Sequence, residues 1–414
     1  MIPFTTQTPV SLPQPLKLLY VHEAFGSLGG AEANVLITAT EMRKRGHIVG
    51  LWTQRSTGRG EESWTKTFGD NIWHLEQADL AVVRAQFAPD VVYVHKWDHL
   101  STLAALGESG LPLIRMIHDH DLYCLRSYRY NVFTREVCHR KASAFCVFPC
   151  LATIKRNRDG GFPLKWVSYP DKRREMELNH RFHRFLVVTE YMRHELELNG
   201  FDPTRIETFP PVPRAADAVR STFSDRNLLV YAGQIIRGKG VDMLLSSLVH
   251  VKSKFELIIL GDGNDRANCE KLARKLGLAD RVRFAGFVPQ AELKSFYQEA
   301  SAVLISSVWP EPIATIGLEV MRHGLPVVAF DAGGISDWLI DGHNGRLVKW
   351  CDTQAYAGAI DELLKDKTKA RGWGGAGLAL VTERYDFARY ISNLEALFHR
   401  VNAEVNAKTP VEVS

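Results

Sequence analysis

The sequence predicts an α/β protein of two Rossmann-like halves, each a parallel sheet covered by helices, facing each other across a cleft. Three observations carry that expectation. Strand and helix patterns alternate along the whole chain, the signature of repeated βαβ units. One segment near the middle, Pro210-Pro211-Val212-Pro213, interrupts the alternation and reads as a linker. The 414 residues suffice for two domains of ordinary size. The expected division is 1–210 for the first half, 211–385 for the second, and 386–414 for a closing helix and tail.

The elements follow in order. Residues 1–15 are polar and Pro-rich and read as a frayed tail. A strand over Lys17–His22 leads into the loop Gly26-Ser27-Leu28-Gly29-Gly30-Ala31-Glu32. A helix then runs from about Ala31 to Arg45, and Gly46 ends it. Strands follow over Ile48–Thr53, Asp90–His95 and Leu113–His118. From Asp121 to about Trp166 the sequence is weakly patterned and reads as an insertion. A strand at Phe185–Thr189, a helix ending at Asn199-Gly200 and a strand near Ile206–Phe209 complete the first half. The second half restarts with a strand over Leu228–Ala232. It adds strands over Glu256–Leu260, Val282–Ala285, Ala302–Ile305 and Pro326–Phe330. A last helical stretch, about Phe387–Ala407, is long enough to pack on either half.

Composition is that of a soluble globular protein, 45% hydrophobic and 24% charged. No apolar run approaches the length of a membrane span, and no basic-then-apolar leader opens the chain. The expected location is the cytoplasm, with the inner face of the membrane as a place to act. The net charge of +4 is uneven. Between Arg115 and Arg193 lie 16 Lys/Arg and 8 Asp/Glu, so this stretch holds +8 and the rest of the chain −4. Two readings stay open: a face for anionic lipid headgroups or a phosphorylated acceptor, or a solvated surface. Nucleic-acid binding would rest on this stretch alone and is not expected.

The chemistry concentrates around Glu311 and Glu319. Pro312, Ile316, Leu318 and Met321 predict a helix opening just after Glu311, with Glu319 two turns in, near the same face. A helix mouth offers unpaired N–H groups and positive dipole character, which suit a phosphate or a polar sugar. Two carboxylates beside it each accept hydroxyl hydrogens. The preceding run Ala300–Ser307 reads as a buried parallel strand, so the helix starts at a strand's carboxyl end, where open α/β sheets bind ligands. That combination suits a sugar nucleotide.

A second loop supplies cations. Tyr231-Ala232-Gly233-Gln234-Ile235-Ile236-Arg237-Gly238-Lys239-Gly240 joins the first strand of the second half to its helix. It is neither a P-loop nor a G-x-G-x-x-G fingerprint. Its Arg237 and Lys239 read as a diphosphate clamp. Leu260-Gly261-Asp262-Gly263-Asn264 and Asp331-Ala332-Gly333-Gly334 also follow strands and line the same sheet edge. Phe287-Val288 would stack on a base or hydrogen-bond to it. In the first half Gly29, Gly30 and His118-Asp119 come at the corresponding edge. Four of the six cysteines, Cys124, Cys138, Cys146 and Cys150, fall in the insertion with His139 among them. They read either as a structural zinc site that orders the insertion or as four ordinary thiols.

Together these residues resemble the retaining glycosyltransferases of family 4, which have the GT-B fold. The resemblance runs from Leu18 to about Val348. Glu311 and Glu319 match the family's E-x7-E pair, the first for the transferred sugar and the second for the ribose. Lys239 matches its donor-diphosphate lysine, Gly29-Gly30 its N-terminal glycine loop, and His118 its histidine near sugar and acceptor. Gln234 stands where the family usually has Arg, and Ile313-Ala314 where Phe-Gly is usual.

The resemblance implies transfer of a hexose-type sugar from a nucleotide-diphosphate donor to a hydroxyl of a glycan or lipid-linked acceptor. The product would be a polysaccharide or glycolipid. The first half would face the acceptor and the second the donor, with peripheral membrane contact and no nucleic-acid partner. The mechanism implied needs no bound metal. Lys239, Arg237 and the amides of Ile313, Ala314 and Thr315 would meet the leaving diphosphate, while Glu311 and His118 position the sugar. Gly29, Gly30, Gln234, Gly263, Phe287 and Glu319 would complete the donor site. The alternatives are a nucleotide-sugar epimerase of the same fold and a catalytically idle nucleotide-sugar-binding partner.

Overall fold

A computed structural model describes residues 14–27, 29–131, 134–156, 164–212 and 218–407. Residues 1–13 of the expected tail, Pro213 of the linker, and 132–133 and 157–163 of the insertion lie outside the described residues. The chain forms two compact units. One comprises Met1–Met116, Leu178–Phe185 and Ile391–Ser414; the other comprises Ile117–Glu177 and Leu186–Tyr390.

The chain begins with β1 (Lys17–Phe25), α1 (Gly30–Lys44), β2 (Ile48–Ser56), α2 (Glu61–Phe68) and β3 (Ile72–His74). It continues through α3 (Leu80–Phe87), β4 (Val91–Val94), α4 (Leu100–Glu108) and β5 (Leu113–Ile117). The central strands are near-continuous apolar runs: β4 and β5 are buried at every position, as sheets covered on both faces require. β1 pairs in parallel with β2 and with β4, and β4 with β5. Asp79 caps α3, its side chain accepting from the Val82 amide at 3.0 Å.

The insertion carries β6 (Ile154–Arg156) and β7 (Leu164–Trp166), paired antiparallel. Little else in it is regular, so its order comes from side chains. Arg129 and Glu195 are each 2% exposed and form an ion pair. Arg129 Nη1 also donates to the Arg140 carbonyl at 2.5 Å. After the insertion come α5 (Tyr169–Asn179), β8 (Arg184–Val187), α6 (Glu190–Leu198) and β9 (Ile206–Thr208). The first sheet then has the order β3-β2-β1-β4-β5-β8-β9.

The later part of the chain supplies β10 (Leu228–Ala232), α7 (Val241–Leu248), β11 (Glu256–Leu260), α8 (Arg266–Lys275) and β12 (Val282–Gly286). Then follow α9 (Gln290–Glu299), β13 (Ala300–Ile305), α10 (Thr315–Arg322), β14 (Val327–Phe330) and β15 (Gly345–Val348). The last three helices are α11 (Thr353–Lys365), α12 (Lys367–Arg384) and α13 (Phe387–Asn406). The second sheet has the order β12-β11-β10-β13-β14-β15, parallel throughout. Taken in its own sequence order this is 3-2-1-4-5-6, the doubly wound Rossmann arrangement. Residue 391 onward of α13 belongs to the first unit, where Phe398 packs edge-on against Tyr93 of β4.

One predicted element needs correction. The helix expected just after Glu311 starts at Thr315, and Ala314 before it has φ +53°, in the left-handed region. Glu319 is therefore one turn in, not two. The segment between is held extended by tertiary bonds, with Glu311 bridged to Gly333, and local pattern does not report such bonds. Among the described residues no helix is long and apolar enough to cross a membrane.

Candidate active site

Strand order reverses in the second sheet between β10 and β13, both of which neighbour each other while their successors run outward in opposite directions. A crevice for ligands opens at such a switch point, outside the carboxyl ends of the strands. The two loops that leave there are the cationic loop after β10 and the loop carrying Glu311 after β13. The structure brings their key side chains together. Lys239 Nζ lies 2.6 Å from Glu311 Oε1 and 5.3 Å from the centre of the Trp309 ring. Trp309 Nε1 donates to the same carboxylate oxygen at 2.7 Å, and Ser307 Oγ donates to it as well. Glu311 is 3% exposed. Burial opposes its ionisation, but the Lys239 ammonium and the three donated bonds outweigh burial and hold the carboxyl below its usual range.

The Glu311 loop is pinned one carbonyl at a time. His120 Nε2 donates to the Pro310 carbonyl at 2.9 Å. The Gly334 amide donates to the Glu311 carbonyl at 2.7 Å. Thr189 Oγ1 donates to the Pro312 carbonyl at 2.8 Å, and Trp338 Nε1 to the Ile313 carbonyl at 2.6 Å. With four successive carbonyls turned into the protein, the loop presents the mouth of α10 in one fixed orientation. His120 is buried, and burial pushes it down to about 4, with the Pro310 bond opposing. Its Nε2 carries the proton and Nδ1 accepts from the Tyr123 hydroxyl, 2.8 Å away. Gly334 belongs to a loop that sequence placed at this edge, but His120, Thr189 and Trp338 were not singled out, because they act from parts of the chain distant from Glu311.

The cationic loop packs as closely. Gly240 has φ +64°, and a Cβ there would fall 2.1 Å from the Ser306 carbonyl oxygen. Gly240 is thus required by the close approach of the β10 and β13 loops themselves. The same holds at Gly263, where a Cβ would meet the Ile235 carbonyl oxygen at 2.2 Å. Arg237 and Gln234 are exposed, and Phe287 is 78% exposed. Ile313 and Ala314 are buried and Thr315 is exposed at the helix mouth. Glu319 is half-buried beside Tyr297, whose hydroxyl is held protonated by burial and by the nearby Glu319 carboxylate. His118 is half-buried just past β5, two residues before the Pro310 anchor His120.

The first sheet reverses order between β1 and β4, and the glycine loop leaves β1 there. Gly29 caps α1 with an extended backbone, φ −169°. A Cβ at Gly29 would come no nearer than 3.5 Å to Glu32, and one at Gly30 would meet nothing within 4 Å. Neither backbone nor packing demands glycine at these two positions. Below the loop, His22 Nε2 and Glu32 Oε1 are 3.1 Å apart and both residues are buried. Burial raises and the His22 bond lowers the Glu32 carboxyl, which settles at about 2.

The family model described as "Glycosyltransferase Family 4" matches residues 28–212, and "Glycosyl transferases group 1" matches residues 214–378. The D-inositol 3-phosphate glycosyltransferase of Corynebacterium urealyticum is 33% identical over 381 residues, 82% of this chain and 84% of that protein. The chain belongs to glycosyltransferase family 4. With other curated relatives the match spans 37–55% of their length. For the D-inositol 3-phosphate glycosyltransferase of Acidothermus cellulolyticus it is 32% identity over 206 residues, 44% of this chain and 46% of that protein. Among solved structures, Anabaena HepE in complex with UDP and glucose superposes with a TM-score of 0.69 at 17% identity, covering 93% of this chain and 100% of that one. The two-sheet GT-B fold expected from sequence is thereby established for this family 4 chain.

The four insertion cysteines all line one cavity of about 780 Å³, together with His139, Arg126 and Arg129. Burial raises the Cys146 thiol, and the neighbouring cysteines raise it further. Among the described residues, the group of three ligand atoms that lies within 4.8 Å is His47, Glu395 and His399, and the cysteines form no such group. That trio is poorly suited to an ion. The Leu16 amide donates to His47 Nδ1 at 3.0 Å, so the neutral ring carries its proton on Nε2, the atom that faces Glu395 Oε1 at 3.0 Å. Arg45 also holds the Glu395 carboxylate. A ligating nitrogen must be free of its proton, so this trio reads as a hydrogen-bond network within the first unit.

Proposed function

We propose that the protein is a retaining glycosyltransferase that moves a hexose-type sugar from a nucleotide-diphosphate donor to a hydroxyl of a glycan or lipid-linked acceptor. The observation that carries this reading is the Lys239–Glu311 pair at the switch point of the second sheet, beside the mouth of α10. Lys239 and the mouth amides supply fixed positive potential where the leaving diphosphate gathers charge. Because that potential is built in, it needs no reorganisation as the C1–oxygen bond breaks. Glu311 stays ionised and offers a sugar hydroxyl a carboxylate acceptor. Glu319, one turn into α10, takes the ribose diol. The acceptor hydroxyl bonds to C1 on the face the diphosphate leaves, and its proton passes to the departing phosphate oxygen, so configuration is kept.

The open positions Gly29 and Gly30 support close approach of a ligand to the first unit's loop. Their glycines have no internal reason. HepE was crystallised with UDP and glucose, which makes UDP-sugars the first donors to try. The test is a thermal-shift screen of sugar nucleotides, followed by product analysis with the best donor. The expected outcome is stabilisation by one class of sugar nucleotide and a product whose anomeric proton couplings match those of the donor. A product of inverted configuration, or no response to any sugar nucleotide, overturns the proposal.

A further inference from the structure

We infer that the insertion of the second unit carries a docking surface for a lipid bilayer with anionic headgroups. The starting point is where this chain leaves its large apolar side chains uncovered. Val147, Phe148, Leu151, Ile154, Leu164 and Trp166 are 36, 77, 47, 41, 50 and 70% exposed. Six such residues thus fall in twenty positions of sequence. Among the described residues, the other exposed large apolar ones, Ile48, Val82, Leu198, Val219, Val249, Phe287 and Ile340, are scattered, and no two of them fall within twenty residues of each other. Scattered exposure is normal, whereas a concentrated patch marks an interaction site.

The register shows that this exposure is built in. Ile154 stands opposite Trp166 across the β6–β7 hairpin. Opposed residues share a face, and Leu164, two positions before Trp166, shares it too. Just before β6, Ala152 and Thr153 are buried, at 2% and 3% exposure. A core-facing strand would place its large apolar residues inward. Ile154, Leu164 and Trp166 are instead exposed, and the Val167 amide closes the base of the hairpin by donating to the Thr153 carbonyl at 2.7 Å.

Charge selects the occupant. From Arg140 to Trp166 the sequence carries six cations, Arg140, Lys141, Lys155, Arg156, Arg158 and Lys165, against a single carboxylate, Asp159. A second copy of this chain would set these cations against their own kind. A bilayer accepts aromatic and aliphatic side chains at its interface and attracts Lys and Arg through its anionic headgroups. The inference does not depend on sugar transfer, so its test reads membrane binding and not turnover.

The full chain is centrifuged with vesicles of phosphatidylcholine alone and of phosphatidylcholine with phosphatidylglycerol. The expected result is binding to the anionic vesicles and little to the zwitterionic ones. Phe148→Ser with Trp166→Ser is expected to lower the partition coefficient by about tenfold or more, because two interfacial aromatic side chains are lost. Lys141→Glu with Lys155→Glu is expected to abolish the preference for anionic vesicles. Phe148, Trp166 and Lys141 are exposed, and an unchanged melting curve verifies folding. Failure of the wild-type chain to bind anionic vesicles overturns the inference, as does unchanged binding by the Phe148/Trp166 variant. A concentration-dependent dimer that this variant dissolves overturns it in favour of a self-association face.

Discussion

Replacing Lys239 with Met removes the ammonium while keeping most of the side chain's bulk, and it isolates what that charge does for Glu311. The Glu311 side chain is 5% exposed and the Lys239 side chain 24%. Breaking a fully buried pair costs about 3–5 kcal/mol because a charge is left uncompensated. Partial exposure of the ammonium and the surviving bonds from Ser307 and Trp309 reduce that to about 2–3 kcal/mol. With a urea m-value of about 3 kcal/mol/M, the unfolding midpoint at neutral pH falls by up to about 1 M.

The pH dependence is more decisive than the size. In the wild type the Glu311 carboxyl titrates below its usual value. Its contribution is therefore present above the unfolded pKa and is lost as pH falls through the folded one. Without Lys239, burial dominates and the folded pKa rises above the unfolded one. The variant then recovers stability as pH falls from neutrality toward 5, while the wild type does not. Urea titrations at several pH values of the wild type, Lys239→Met, Glu311→Gln and the double variant measure both effects. A Lys239→Met protein as stable as wild type, or one whose stability follows pH with the wild-type sign, refutes the reasoning.

Ala314→Gly is expected to stabilise the protein by about 0.5 kcal/mol, since alanine at φ +53° costs more than glycine's added chain entropy; thermal melting checks it. Gly317→Ala places a Cβ 2.0 Å from the buried Trp338 ring, which cannot move without releasing its bond to Ile313. A loss of about 1–3 kcal/mol and weaker nucleotide binding are expected, read by denaturation and by calorimetric titration. His120 binds its proton only near pH 4 when folded, below the value of an unfolded imidazole. Stability is therefore lost as pH falls from about 6.5 toward 4, by up to about 1.4 kcal/mol per pH unit, and a His120→Gln protein should show a flatter profile. Glu319→Gln should weaken nucleoside diphosphate binding by about 1–3 kcal/mol in a titration, because the ribose diol loses its acceptor.

Much of the fold was legible because its signals are local. Apolar runs such as Val91–Val94 and Val327–Phe330, spaced by helical patterns, specify parallel strands wherever they are placed. The candidate site was legible in part for the same reason: Lys239 and Glu311 each follow a strand that sequence already marks. What sequence alone left open is that these two side chains meet at 2.6 Å, because their loops are adjacent only once β10 and β13 pair. It also left open how the Glu311 loop is held. His120, Thr189, Gly334 and Trp338 reach its carbonyls from distant points in the chain, and no periodicity records a bond between residues so far apart. The late start of α10 has the same origin, since the bonds to Pro312 and Ile313 hold these residues out of the helix that the apolar pattern predicts. Sequence determined which residues could do chemistry; tertiary structure decided which of them share a site, because burial, register and long-range hydrogen bonds exist only in the folded chain.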